Sequence, residues 1–285
     1  MSAAVAAAAA RAAGSAAASW RAVTGGDVNA AMRVTLDDGR ELFVKHRDPA
    51  PAGMFAAEAE GLRWLAAAGA LRVPEVVAAG DGWLAMEWIE RGRPARDHDE
   101  RLGRGLAALH RAGAPAFGRE GGGTGFIGPL PVPDDPLPRW AEFLGRRRLM
   151  PLAAAGHRAG ALGPDDVAAV EALCGRLPDL LGPAEPPARL HGDLWAGNSF
   201  PDAAGAPVLV DPAAYGGHRE TDLAMMRLFG GFGDRVFAAY AEDHPLAPGH
   251  EDRVELHQLL PLLVHAALFG GGYAGSVRRI LRRFA

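Results

Sequence analysis

Residues 190–198 read LHGDLWAGN, and residues 207–212 read PVLVDP. Together they place Asp193 five residues before Asn198 and set Asp211 directly after an apolar strand. Carboxylate and amide oxygens are ligands that Mg²⁺ prefers, and a carboxylate can also take the proton of an attacking hydroxyl. Phosphoryl transfer requires both functions. The two stretches therefore indicate a phosphoryl-transfer site, although an isolated pair of this kind is more often a turn, which Asp and Asn both favour.

Residues further upstream could complete such a site. Lys45 is the one lysine in a chain with 29 arginines, and it ends a short apolar run. Lysine carries a compact charge on a flexible stem, whereas arginine is a wide planar fork. A buried position that reaches for phosphate oxygens would favour lysine, although chance could also leave a single lysine anywhere. Glu58 follows on a predicted helix and could pair with Lys45.

The hydrophobic periodicity predicts a small antiparallel sheet near the start of the chain. The expected elements of this part are an alanine-rich helix within 1–18, strands over 20–24, 32–36 and 42–45, a helix over 54–68, and strands over 73–79 and 83–89. Beyond it the pattern is mainly helical. Helices are expected over 99–111, 139–155, 164–181 and to the end, with short strands near 191 and 208–210 and a Gly- and Pro-rich loop over 113–138.

The fold class expected from this order is α+β, with the two lobes of a protein-kinase-like fold. The smaller lobe, residues 1–89, would hold the antiparallel sheet with one helix and bind ATP. The larger lobe, residues 90–285, would be mainly helical and would carry the catalytic and acceptor-binding residues. Lys45, Glu58, Asp193, Asn198 and Asp211 stand in the chain order that such a fold requires.

Four stretches carry a resemblance to the fructosamine kinase (ketosamine-3-kinase) family, within the aminoglycoside phosphotransferase and kinase-like superfamily. They are residues 25–30, GGDVNA; residues 43–45 with 54–62, FVK and MFAAEAEGL; residues 191–198, HGDLWAGN; and residues 211–225, DPAAYGGHRETDLAM. The resemblance runs from about residue 20 to the end of the chain. Trp195 and the Gly-His-Arg-Glu run at 217–220 resemble fructosamine kinases rather than antibiotic kinases.

The resemblance implies a role for each matching residue. Asp193 would be the catalytic base, Asn198 and Asp211 the Mg²⁺ ligands, and Asp222 a structural brace of the catalytic loop. The ATP-binding residues would be Gly25, Gly26, Asp27 and Asn29 at the phosphates, Lys45 with Glu58 beside them, and the backbone of Glu87 and Ile89 at the adenine. Taken alone, the loop over 25–29 is an ordinary turn that matches no standard phosphate-binding motif.

The sequence predicts the acceptor site less clearly than the ATP site. Trp195 could stack on a sugar or an amine-bearing substrate, or could equally be a core tryptophan. His218 and Glu220 could bind the acceptor, with the alternative that Glu220 is a salt-bridged cap on the following helix. The chain also departs from the family at residues 131–134, where it reads Pro-Val-Pro-Asp in place of Pro-Gln-Pro-Asn. That departure leaves the acceptor identity open.

Composition limits the other classes of function. With a net charge of −4 and a pI of about 6.2, the chain has no basic excess that would suggest a nucleic-acid partner. No apolar run reaches the length of a membrane span without a break. The single cysteine, Cys174, excludes an intrachain disulfide. We therefore expect a cytoplasmic protein, with a monomer favoured.

The predicted function is an ATP- and Mg²⁺-dependent kinase. The family resemblance implies that it phosphorylates the sugar 3-hydroxyl of a ketoamine, either a small molecule or a glycated protein lysine, with a role in protein deglycation. One alternative is another small-molecule kinase of the aminoglycoside or choline kinase type. A catalytically silent nucleotide-binding protein is a further alternative, which the complete set of catalytic residues disfavours.

Overall fold

The computed structural model describes residues 2–23 and 29–284. The predicted phosphate contacts of Gly25, Gly26 and Asp27 lie outside this range. The first part of the chain contains α1 (Ser2–Ala12), β1 (Ala17–Val23), β2 (Ala30–Leu36), β3 (Glu41–His46), α2 (Met54–Ala66), β4 (Val76–Gly80) and β5 (Trp83–Glu87). These strands form one antiparallel sheet in the order β1-β2-β3-β5-β4.

The strand period of two divides the residues of this sheet between two faces. Val34 and Val44 pack with Ala9 of α1 on the outer face. Leu84 and Met86 of β5 face the other way and pack with α2. The same cluster continues into the second part of the chain. The sheet is therefore closed by a helix on each face, and Lys45 on β3 points toward α2 and the interior.

The second part of the chain is mainly helical, as predicted. Its helices are α3 (His98–Arg111), α4 (Trp140–Phe143), α5 (Met150–Arg158), α6 (Pro164–Leu180), α7 (Glu220–Phe229), α8 (Asp234–Asp243), α9 (His250–Phe269) and α10 (Gly272–Phe284). Its strands are β6 (Thr124–Ile127), β7 (Leu130–Pro133), β8 (Ala188–Leu190), β9 (Ser199–Pro201), β10 (Pro207–Leu209) and β11 (Tyr215–Gly217). A π-helical segment over Leu144–Leu149 joins α4 to α5, and a 3₁₀ turn covers Ala196–Asn198.

The prediction of an α+β fold with a small sheet and a large helical part is confirmed, and several boundaries differ. The first helix ends at Ala12, because the chain turns at Gly14 and Ala17 already begins β1. The strand predicted to start at Val73 begins at Val76, since Pro74 has no amide hydrogen to donate to a sheet. The segment over 113–138 is not wholly a loop, because β6 and β7 pair within it.

No helix within the described ranges is long and apolar enough to cross a membrane. The division of the chain after Ile89 stays a prediction, because one hydrophobic cluster runs from Leu65 on α2 to Leu106 on α3 and Leu194 in the following loop. The largest cluster fills the interior of the helical part. It joins α9 and α10, for example through Leu259, Leu263 and Ile280.

Candidate active site

Lys45 lies between two carboxylates that come from distant parts of the chain. Its ammonium nitrogen contacts Glu58 on α2 and lies 2.8 Å from Oδ1 of Asp211, after β10. Lys45 itself is only 4% exposed. Burial alone would lower the pKa of Lys45, but the charges of Asp211 and Glu58 outweigh it and hold the pKa above its ordinary value. The lysine is therefore charged and held in place.

The loop between β8 and β9 positions the catalytic candidates. The amide nitrogen of Asn198 donates to the carbonyl of Asp193 at 2.8 Å and to its Oδ2 at 3.1 Å. Burial and the negative charge of Asp211 raise the pKa of Asp193 to about 7. A carboxylate near neutral pKa is suited to accept a hydroxyl proton. Because the Asn198 nitrogen faces Asp193, its amide oxygen is left as a possible metal ligand.

Asp222 at the start of α7 braces this loop. Its two oxygens accept hydrogen bonds from the backbone of His191 at 2.8 Å and of Gly192 at 2.9 Å. The His110 ring on α3 adds a contact at 3.2 Å. Burial would raise the pKa of Asp222, but these bonds hold it below the usual value. Gly192 is needed because a Cβ there would lie 2.1 Å from the Ala213 carbonyl.

Asp211 has an unusual backbone conformation. Its φ of 56° makes it the only non-glycine residue with a positive φ in the described part of the chain. Such a conformation costs about 1–3 kcal/mol and persists only where the surroundings enforce it. Here the neighbouring chain is fixed, since His191 contacts the Val210 carbonyl at 2.9 Å and Val210 donates to the Asn198 carbonyl at 3.0 Å. The turn directs the Asp211 carboxylate toward Lys45.

The donor set at this point fits a divalent metal. Glu58 and Asp211 contact the one lysine and Asp193 lies near it, so the group carries an excess of two negative charges when all three carboxylates are ionised. Hard oxygen atoms without thiolate or imidazole favour a cation such as Mg²⁺ or Ca²⁺. Asn198 and Asp211 are the residues that could hold it, with the Asp211 carboxylate 44% exposed toward the cavity.

These residues line one cavity of about 590 Å³ between the sheet and the helical part. The cavity brings together seven of the residues predicted from the sequence, namely Asn29, Lys45, Glu58, Asp193, Trp195, Asn198 and Asp211. Glu87 and Ile89 are not among its lining residues. The amide of Glu87 donates to the Glu75 carbonyl at 2.9 Å and is therefore not available to adenine. Contact between adenine and the carbonyl of Glu87 or the backbone of Ile89 stays a prediction.

His218 and Glu220 do not reach this cavity. Glu220 is 5% exposed, and both its oxygens accept hydrogen bonds from Arg253 on α9, at 2.7 and 2.9 Å. His218 is 3% exposed and stacks on His257 with ring centres 5.4 Å apart. Their position outside the cavity lining favours the alternative, in which Glu220 is salt-bridged at the start of the helix, and contact with the acceptor stays an untested prediction. Glu220 forms a buried ion pair that fastens the start of α7 to α9.

The same cluster resembles a metal site but is poorly suited to be one. Ligand atoms of His218, Glu220 and His257 lie within 4.8 Å of one another. However, Arg253 occupies both oxygens of Glu220, and Arg219 lies beside it, paired with Glu185. The two guanidinium charges already balance the two carboxylates. A buried dication would therefore add uncompensated positive charge.

The sequence did not predict the β6–β7 hairpin, which forms one wall of the cavity. Phe126 and Ile127 of this hairpin line the cavity, together with Asp134 and Arg148. Arg148, on the π-helical segment, donates to the Pro133 carbonyl at 2.7 Å and forms a buried ion pair with Asp134. The sequence did contain a signal for this wall, namely the departure from the family at residues 131–134. That stretch includes Asp134, the acid that pairs with Arg148.

The fold and the site together define a phosphotransferase of the kinase-like class: a lysine–glutamate pair beneath a small sheet lies in one cavity with Asp193, Asn198 and Asp211. Comparison with known proteins identifies the family within this class. The family model for fructosamine kinase matches residues 1–285, and the chain belongs to that family.

Individual relatives agree with this assignment. A probable ketoamine kinase of Synechocystis is 40% identical over 270 residues, covering 92% of this chain and 89% of the relative. A ketosamine-3-kinase of Mus musculus is 33% identical over 92% of this chain and 93% of its own length. The crystal structure of a putative fructosamine-3-kinase from Thermobifida fusca is 45% identical, covers 98% of both chains and superposes with a TM-score of 0.88.

Proposed function

We propose that this protein transfers the γ-phosphoryl group of ATP, with Mg²⁺, to the sugar 3-hydroxyl of a ketoamine such as a fructosamine or ribulosamine. The observation that carries the proposal is the complete catalytic set around Lys45 and Asp193, in a chain that belongs to the fructosamine kinase family. A silent nucleotide-binding protein would be expected to lack at least one of these groups.

Each residue of the set has a role in the proposed reaction. Lys45, held by Glu58, binds the α- and β-phosphates as a compact positive charge. Asp193 orients the sugar hydroxyl and takes its proton as the new O–P bond forms and the bond from the γ-phosphorus to the departing ADP breaks. Asn198 and Asp211 hold the Mg²⁺ ion, which when bound offsets the negative charge on the phosphates. Asp222 keeps the loop of Asp193 in position without contacting the substrate.

In the proposed reaction the acceptor sugar binds beside Asp193. Trp195 lies two residues after Asp193, lines the cavity and is 39% exposed. A half-exposed indole face suits the apolar face of a sugar ring. Phosphorylation at the 3-position destabilises the sugar adduct in this family, so the proposed role is the removal of sugars from small ketoamines or glycated lysines. The cytoplasmic location and the monomeric state stay predictions.

The proposal is tested by incubating the protein with ATP, Mg²⁺ and a panel of acceptors. The expected result is ADP release that depends on a fructosamine or ribulosamine, with a 3-phosphate product identified by phosphorus NMR. Turnover confined to an aminoglycoside or an amino alcohol would instead assign the chain to another activity of the superfamily. ATP binding without turnover on any acceptor would favour the silent protein.

A further inference from the structure

The mouth of the cavity carries an unusual concentration of exposed aromatic side chains. Trp195, Phe229 and Phe269 are 39%, 39% and 53% exposed, and all three line the cavity. His265 and Tyr273 line it between them. We call these five residues the aromatic rim. Large apolar side chains left exposed together commonly mark a binding surface, and here the surface adjoins the catalytic base.

The rings of the aromatic rim form a continuous series. The centre of the Trp195 ring lies 6.5 Å from that of Phe229, and Phe229 lies 4.8 Å from His265. His265 is in turn 5.6 Å from Phe269 and 5.0 Å from Tyr273. These separations are those of aromatic pairs in contact. The rim is therefore one apolar surface and not a scatter of separate side chains.

This surface begins beside the reacting hydroxyl. Trp195 follows Asp193 closely in the chain, and His265 and Asp193 both line a small hollow next to the main cavity. A sugar that presents its hydroxyl to Asp193 and stacks on Trp195 would direct its remaining substituent along the rim. In a ketoamine that substituent is the secondary amine with the group attached to it.

The positive charges that line the cavity are not available to bind an acidic substituent. Lys45 is paired with Glu58 and Asp211 and is assigned to the ATP phosphates in the proposed function, and Arg119 donates to Glu60 at 2.8 Å. Arg148 is paired with Asp134. Within the described ranges these are the only lysine and arginine side chains of the lining, and the rim itself contains none. A carboxylate placed there would lose its hydration without gaining a partner.

The imidazole of His265 adds a polar group of defined orientation. Its Nδ1 lies 2.8 Å from the carbonyl of Pro261, one turn earlier on α9. Since a carbonyl only accepts, Nδ1 carries the hydrogen, and Nε2 of the neutral ring is left as an acceptor. An N–H group of the substrate is the kind of donor that this atom can receive.

We propose, on the basis of the function proposed above, that the aromatic rim binds the amine end of the ketoamine. It would hold the secondary ammonium against the ring faces and bury the hydrocarbon attached to it. The rim thereby selects acceptors that carry an alkyl or aryl chain next to the nitrogen, as a glycated lysine side chain does. It selects against adducts with a carboxylate next to the nitrogen, as in glycated glycine.

The test uses three ketoamines that share one sugar and differ in the amine: butylamine, benzylamine and glycine. We expect kcat/KM to be at least about tenfold higher for the butyl and benzyl adducts than for the glycine adduct. Phe269→Ala should lower the ratio of benzyl to glycine kcat/KM by about tenfold. Trp20→Ala is the matched control, since Trp20 is 42% exposed on β1 and does not line the cavity, and it should leave the ratio unchanged.

The outcomes separate the inference from the function on which it rests. Turnover of all three adducts with equal kcat/KM, or a ratio that Phe269→Ala does not change, would overturn the inference and leave the proposed function in place. Turnover of none of them, while ATP still binds, would overturn both. Binding of the butyl adduct to the Asp193→Asn variant, measured by calorimetry, should weaken on addition of Phe269→Ala, which excludes an effect on the chemical step.

Discussion

Lys45 occupies a position where only a compact charge fits. Its side chain is about 5% exposed and contacts carboxylates on two different elements, Glu58 on α2 and Asp211 after β10. An arginine has a wide planar head that would have to displace one of the two partners. The presence of lysine at this one position therefore has a structural reason, which the sequence could suggest but not establish.

Lys45→Arg should impair the ATP side of the reaction. We expect kcat/KM for ATP to fall by at least about tenfold, because the guanidinium cannot contact phosphate and both carboxylates in the space of an ammonium. Steady-state kinetics at saturating acceptor would measure it. The control is Arg21→Lys, an exposed residue of β1, which should have no effect. Wild-type ATP kinetics in Lys45→Arg would show that the single lysine is an accident of composition.

Asp193→Asn removes the proposed base and keeps the size of the side chain. Turnover should fall by about 10²–10⁴-fold, since the amide cannot take a proton. The dissociation constant for ATP, measured by calorimetry, should change by no more than a fewfold, because Lys45 and Glu58 are untouched. A variant that turned over at the wild-type rate would refute the assignment of Asp193 as the base.

At the scale of elements, a buried ion pair supports the β6–β7 hairpin. Arg148 and Asp134 have side-chain exposures of 1% and 3%, and the guanidinium also lies over the rings of Phe143 and Tyr215 at 4.6 and 4.3 Å. The pair fastens the end of β7 to the helix behind it. Loss of Arg148 would leave the buried Asp134 with the longer contact to Arg119, at 3.5 Å, in place of its close partner, which is costly in free energy.

Arg148→Met should therefore lower the free energy of unfolding by about 3–5 kcal/mol. Asp134→Asn should cost less, about 1–2 kcal/mol, since the amide oxygen can still accept from Arg148. Denaturant titration of both variants would measure the difference. Arg146→Met provides the control, because Arg146 is exposed on the same segment and its loss should change stability by less than about 0.5 kcal/mol. Equal stability of Arg148→Met and the wild type would contradict the role given to the pair.

The elements also explain why two predicted site residues, His218 and Glu220, lie outside the cavity lining. His218 and Glu220 lie directly before and at the start of α7, close in sequence to Asp222, which does contact the catalytic loop. Their side chains turn the other way, toward Arg253 and His257 on α9. No local pattern distinguishes these directions, because the partners lie more than 30 residues further along the chain.

At the scale of the whole molecule, buried histidines link stability to pH. Burial and the charge of His257 lower the pKa of His218 from 6.5 to about 4. Below pH 6.5 His218 becomes protonated in the unfolded chain, whereas in the folded protein it stays neutral until about pH 4. The contribution of neutral His218 to the free energy of unfolding is thus fully present above pH 6.5. It is lost as the pH falls to 4, and the total is about 3 kcal/mol.

We expect the free energy of unfolding to decrease between pH 6.5 and pH 4. Burial lowers the pKa of His191 and His244 as well. The free energy of unfolding of the wild type should therefore change with pH more steeply than the uptake of one proton would give. His218→Gln should reduce the slope by about one proton while lowering stability at pH 7. Urea unfolding at several pH values would measure both. An identical slope in the two proteins would show that His218 is not buried in its neutral form.

The sequence by itself determined the catalytic chemistry of this protein. Asp193, Asn198 and Asp211 lie within one short stretch, so the local turns of the chain suffice to bring them together. Lys45 and Glu58 could be added because a strand followed by a helix places them on facing sides. The antiparallel sheet and the helical part followed from hydrophobic periods, which depend only on near neighbours.

Only the tertiary structure decided what surrounds that chemistry. The aromatic rim draws Trp195, Phe229 and His265 from three separate elements, and the hairpin wall depends on an ion pair between Asp134 and Arg148. Such contacts arise when distant segments pack, and a single sequence carries no period or spacing that records them. The identity of the acceptor is decided by these surfaces, whereas the transfer of phosphate is decided by the local motif.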